Sequence, residues 1–208
     1  MKILLITHLV PYPPHDGPSL RNFNLIKECS RNNKIHLLTF YRKAHGHNPD
    51  NLKASIDELK KYCEIVKVFR IPTNVNNLAW LILLFLNIFS SAPYSQWEYW
   101  SPMMSKAIKQ HLRKYSYDVI EIGEIGLVKY AKICKGIPKI LVHHNIESQL
   151  LLRRSEVMNN PLARAYLKFQ ARKLKKSQLF TNLLKLILVN LMLNPSDWRL
   201  LFYHSPTL

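Results

Sequence analysis

The stretch Lys2-Ile3-Leu4-Leu5-Ile6-Thr7-His8-Leu9-Val10-Pro11-Tyr12-Pro13-Pro14-His15-Asp16-Gly17-Pro18-Ser19-Leu20-Arg21 decides how the rest of the chain is read. Its apolar run from Ile3 to Ile6 is too short for a secretory signal and predicts a strand buried on both faces. A proline-rich loop follows, then Gly17 just ahead of an amphipathic segment from Leu20 to Ser30 that predicts a helix. Strand, loop and helix in that order are the opening of a parallel α/β sheet.

The same alternation recurs along the chain. Lys34 to Phe40 reads as a strand, Asp50 to Lys61 as a helix and Glu64 to Arg70 as a strand. After an insertion from Pro72 to Tyr115, closed by a helix from Met103 to Lys114, the pattern resumes. Asp118 to Ile122 reads as a strand, Ile125 to Cys134 as a short helix and Lys139 to His143 as a strand. Glu147 to Glu156 and Leu162 to Lys176 read as two further helices. The expected fold is therefore a Rossmann-like parallel sheet with helices on both faces, plus a helical C-terminal tail. In such a sheet ligands bind beyond the carboxyl ends of the strands, so the segments after Thr7, Phe40, Arg70, Ile122 and His143 are where chemistry should collect.

Composition narrows the function. With 48% apolar residues in 208, the chain has enough to bury a sizeable core. Cys29, Cys63 and Cys134 lie far apart, which argues against both a disulfide framework and a zinc site and fits a reducing cytoplasm. The formal charge of +17 attracts anionic partners, whether phosphates, acidic lipid or nucleic acid. No helix-turn-helix, zinc-finger or RNA-recognition signature accompanies it, so no nucleic-acid partner is expected. The basic run from Lys168 to Lys176 reads as a solvated helix face.

Three segments carry candidate chemistry. The Gly17 loop lets backbone approach an anion at a helix N-terminus, with Ser19 and Arg21 beside it; the competing reading is an ordinary turn capped by Ser19. The strand end Leu141-Val142-His143-His144-Asn145-Ile146-Glu147-Ser148 offers two adjacent histidines, of which at most one can face a cleft; the competing reading is a helix start capped by Asn145 or Ser148. Glu121 and Glu124, at the end of the fourth strand, are candidate cleft carboxylates. Being neighbours on one strand end, they do not have the opposed arrangement, about 5 Å apart, of a retaining glycosidase. No metal site is expected among these residues.

The Pro-x-Pro loop, the Gly17 turn, Arg21 and the His-Asn-x-Glu-Ser segment together resemble the N-terminal, acceptor-side half of family-four retaining glycosyltransferases of the GT-B fold. The likeness covers residues 1–176. It departs at Gly17-Pro18, where the family commonly has two glycines; proline lacks an N–H and removes one amide contact. The resemblance implies transfer of a hexose from a nucleotide diphosphate sugar to a glycan or lipid-linked acceptor, with no cofactor beyond that donor substrate. It implies that His144 faces the transferred sugar as the catalytic histidine, through positioning more than proton transfer. Gly17, Ser19 and Arg21 would serve as the donor diphosphate loop, and Glu121, Glu124, His143 and Asn145 would line the acceptor cleft.

The family's second domain, with its Glu-x7-Glu pair, has no counterpart here, because no glutamate follows Glu156. Residues 177–208 read as an atypical tail, expected to arise from a frameshifted or truncated gene, and the chain is expected to be inactive alone. The alternative is a non-catalytic basic module at a membrane surface or beside a separately encoded donor domain. The apolar run Leu78 to Phe89 has two readings. It docks at the inner face of the cell membrane, giving a cytoplasmic protein peripheral contact with anionic lipid, or it packs into the insertion's own core, which its apolar, uncharged circumference favours.

Overall fold

The computed structural model describes residues 1–42, 49–73, 77–143, 146–183 and 187–190. Six strands form one sheet in the order β3-β2-β1-β4-β5-β6. They are β1 (Lys2–Thr7), β2 (Lys34–Tyr41), β3 (Ile65–Arg70), β4 (Val119–Ile122), β5 (Lys139–His143) and β6 (Ile187–Asn190). Every pairing between neighbours is parallel. The helices are α1 (Gly17–Cys29), α2 (Pro49–Leu59), α3 (Asn77–Ile88), α4 (Tyr94–Glu98), α5 (Pro102–Lys114), α6 (Glu147–Glu156) and α7 (Pro161–Leu183), with a 3-10 helix at Ile125–Lys132. The expected Rossmann-like α/β fold with a helical C-terminal region is what the chain adopts.

The near-continuous apolar strands are explained by two cores, one on each face of the sheet. Successive side chains of a strand point to opposite faces, so Leu4, Ile6, Leu38, Phe40, Ile120, Ile122 and Leu141 enter one core. Their neighbours Ile3, Leu5, Ile35, Leu37, Val119, Ile140 and Val142 enter the other. The first is closed by Met104 and Ile108 of α5 and by Leu127 and Tyr130 of the 3-10 helix. Leu25 and Ile26 of α1 and Leu59 of α2 close the second. Each fully buried large side chain contributes about 1.5–3 kcal/mol of transfer free energy, which makes the central strands the stable platform under the strand ends.

One buried polar knot ties two elements of this frame together. The Tyr117 hydroxyl lies 2.7 Å from His36 Nδ1 and 3.0 Å from His111 Nδ1, joining β2 to α5. Burial lowers the pKa of both histidines, His111 to about 4, so the knot is neutral at physiological pH.

Two local expectations change. Helix α1 is capped by Asp16, not Ser19. The Asp16 carboxylate accepts from the Ser19 amide at 2.8 Å, and the Ser19 hydroxyl accepts from the Asp16 amide at 3.1 Å, a reciprocal capping box. The apolar helix is not packed into the insertion's core. Leu78, Leu81, Ile82 and Phe85 of α3 and Phe89 just past its end are exposed, and the one fully buried residue of the helix is the polar Asn87. Its side-chain amide and carbonyl are what α7 grips. Asn87 Oδ1 accepts from Gln170 at 2.8 Å and its backbone carbonyl accepts from Lys173 Nζ at 2.6 Å. A uniformly apolar helix has no moment to orient it, so the one polar residue with committed partners decides which side faces inward.

Helix α7 also runs without a break across the expected boundary between residues 176 and 177. Ser177 accepts from Gln96 Nε2 at 2.7 Å, and Gln178 accepts from the Ser148 hydroxyl at 2.9 Å, so both residues are tied into the sheet domain.

Candidate functional site

The order of strands reverses between β1 and β4, which makes the gap at their carboxyl ends the natural crevice of this sheet. Three titratable side chains meet there. His8 immediately follows β1, Glu124 lies two residues beyond β4, and Glu147 opens α6 just after β5. His8 Nδ1 is 3.3 Å from Glu124 Oε2, and the Glu124 and Glu147 carboxyls face each other. Gly123 makes this convergence possible. Its amide donates to the Ile6 carbonyl at 2.9 Å, and a Cβ there would stand 3.2 Å from that same oxygen, tighter than ordinary contact.

The electrostatics follow from burial. Two carboxyls withdrawn from water and facing each other cannot both ionise at low cost, so burial first, and then neighbouring negative charge, raises the pKa of each. At neutral pH the pair therefore holds at least one proton. His8 moves the opposite way. Burial lowers it to about 4, against a smaller upward pull from Asp16, so its ring is neutral. The constellation thus combines a neutral imidazole with a carboxyl pair that keeps a proton, able both to donate to and to accept from a bound hydroxyl.

A polar and aromatic wall stands beside it. Tyr99 meets the His8 ring edge to face with centroids 6.1 Å apart, and its backbone carbonyl accepts from the buried Tyr130 hydroxyl. Gly126 lets the 3-10 helix lie against that ring, since a Cβ at this glycine would come within 2.9 Å of Tyr99 Cδ2. Arg42, just past β2, is ion-paired with Glu98 at the end of α4.

The residues singled out from sequence divide. Glu124 is in the cluster. Glu121, three residues earlier, faces the α1 side, where Arg21 Nη1 lies 3.5 Å from its Oε1 in a largely buried ion pair. Arg21 is therefore turned inward beneath the crevice. Gly17 and Ser19 begin α1, but the Asp16 carboxylate already holds the first-turn amide that an anion would take, and a Cβ at Gly17 would meet nothing within 4 Å. His143 is the last residue of β5, while His144 and Asn145 lie outside the described residues. His8 and Glu147 were missed as site residues. Both stood in quoted strand-end segments, and the signal that could have found them was the rule that chemistry collects at those ends.

Among the described residues no group of three or more His, Cys, Asp or Glu has the arrangement of a metal site, and no helix there is long and apolar enough to cross a membrane. Compared with protein-family models, with curated proteins and with solved structures, the chain matches none. What the fold and the strand-end cluster define is thus a class, a Rossmann-like α/β domain with an acid and base constellation at its topological switch point.

Proposed function

We propose that this domain is the acceptor-side half of a retaining hexosyltransferase. Its reaction would move a hexose from a nucleotide diphosphate sugar to a glycan or lipid-linked acceptor, with a separate donor-binding half completing the site. The observation that carries the reading is the His8, Glu124 and Glu147 group in the crevice between β1 and β4. An acceptor hydroxyl placed there can donate to neutral His8 or to a carboxyl oxygen of the pair. That fixes its oxygen toward the sugar carbon and supplies orientation at low entropic cost. His144, from the strand-end segment that resembles the family, would position the transferred sugar. The leaving diphosphate would be neutralised by cationic groups of the donor half, because Arg21 is paired with Glu121 and the Asp16 carboxylate takes the Ser19 amide at the start of α1.

The protein in this reading is cytoplasmic, with peripheral contact to anionic membrane. A second reading, a non-catalytic basic module at that surface, is favoured by one specific observation, the outward apolar face of α3.

The test is sugar transfer from a panel of radiolabelled nucleotide sugars to membrane lipid extract. It is run with this chain and with a version extended through the downstream reading frame. Transfer by the extended protein, reduced about a hundredfold by Glu147→Gln as expected for loss of a positioned acid or base, supports the enzyme. A folded extended protein that transfers nothing from any donor removes the enzyme reading and leaves the binding module.

A further inference from the structure

We propose that the outward face of α3 is a docking surface for an anionic bilayer, into whose headgroup boundary its side chains insert. The proposal deepens the peripheral-membrane part of the reading above and does not depend on sugar transfer. Leu78, Leu81, Ile82, Phe85 and Phe89 recur at spacings of three and four, which gathers them on one side of the helix, and Phe85 and Phe89 are 59% and 77% exposed. The opposite side carries Asn87, held by Gln170 and Lys173. Polar groups thus fasten the helix to the protein while its apolar face meets water, the inverse of a core helix and a costly arrangement without an occupant.

Charge and composition select the occupant. No acidic residue occurs between Glu64 and Glu98, while Lys67 and Arg70 precede the helix and the chain as a whole carries +17. An anionic surface is attracted to such a molecule. A second copy is not, since pairing two of these faces would bring like charges together. The location is also apt. Helix α3 packs on α7 through Asn87, and Gln170 and Ser177 of α7 bond to the start of α4, whose far end leads to Tyr99 beside His8. Docking on this face would hold the strand-end crevice near a surface where a lipid-linked acceptor resides.

The experiment is flotation of this chain with vesicles of phosphatidylcholine alone and of phosphatidylcholine with phosphatidylglycerol, paired with sedimentation velocity without lipid. The variants are Phe85→Ser with Phe89→Ser, and Phe89→Ser alone in case the double variant misfolds by circular dichroism. Salt-sensitive binding to the anionic vesicles is expected, weakened about tenfold or more by the Phe substitutions. Three results would each overturn the proposal. One is no binding to anionic vesicles by the unaltered chain. Another is binding that the Phe substitutions leave unchanged, which would assign it to charge alone. The last is self-association that these substitutions abolish, which would assign the face to a second copy. No sugar donor enters the assay, so its failure is distinct from failure of the transferase reading.

Discussion

Glu147 faces Glu124 where the two carboxyls cannot both ionise at low cost, and the consequence is measurable as stability. Both groups have folded-state pKa values raised above the ordinary carboxylate range, by burial first. Between the unfolded and folded values the native state binds more protons than the unfolded chain, so stability falls with rising pH across that interval. The stabilisation is complete below the unfolded carboxylate value, about 4.3, and is lost as pH climbs through the raised folded values. Glu147→Gln removes one of the two charges and keeps a hydrogen-bonding side chain beside Glu124. The expected result is a melting temperature that declines less between mildly acidic and mildly alkaline solution than that of the unaltered chain. Parallel declines in both proteins would mean that the pair ionises without penalty and shares no proton.

At the scale of elements, the lock between α3 and α7 concentrates several interactions in one side chain. Asn87 is fully buried, accepts from Gln170 at Oδ1 and donates from Nδ2 to the Ala92 carbonyl at 3.2 Å. Asn87→Leu would orphan the Gln170 amide and that carbonyl at a cost of about 1–3 kcal/mol each. A lower urea midpoint is expected, together with faster chymotryptic cleavage within residues 77–89; unchanged cleavage would show that α3 is held by something else. The same helix marks the limit of what the sequence discloses. Strands β1 and β5 were legible to the residue because a strand buried on both faces is an uninterrupted apolar run bounded by polar residues. Helix α3 was legible as a helix but not in its orientation, since a segment apolar all round contains no periodicity and its facing depends on Gln170 and Lys173, far along the chain. Glu124 could be singled out from its position after β4. Its partners could not, because His8 and Glu147 become neighbours only when β4 and β5 are laid beside β1. Asp16 was visible in the sequence too, but whether Asp16 or Ser19 caps α1 turns on where the first helical residue falls, which local pattern leaves open by a residue or two.

For the whole molecule, the question is where the domain stops. The change in composition after Lys176 reads as a boundary, yet α7 carries on to Leu183 and β6 adds a parallel strand to β5. Cutting at Lys176 would remove the Gln96–Ser177 and Ser148–Gln178 hydrogen bonds as well as the last seven residues of α7. It would also bare the outer edge of β5, whose backbone groups pair with β6 across residues 140–143. The two side-chain bonds are worth about 1 kcal/mol each. For a chain this long, a loss of about 2 kcal/mol corresponds to a melting temperature roughly 4–8 °C lower. Three proteins are to be compared by calorimetry, ending at Lys176, at Asn190 and at Leu208. If residues 177–190 belong to the domain, the shortest melts lowest and the other two agree within about 2 °C. Equal melting of all three would place the boundary at 176 and make the contacts beyond it energetically idle. A further rise from Asn190 to Leu208 would extend the folded unit to the end of the chain, and the sheet with its strand-end crevice would then have to be studied only in that longest form.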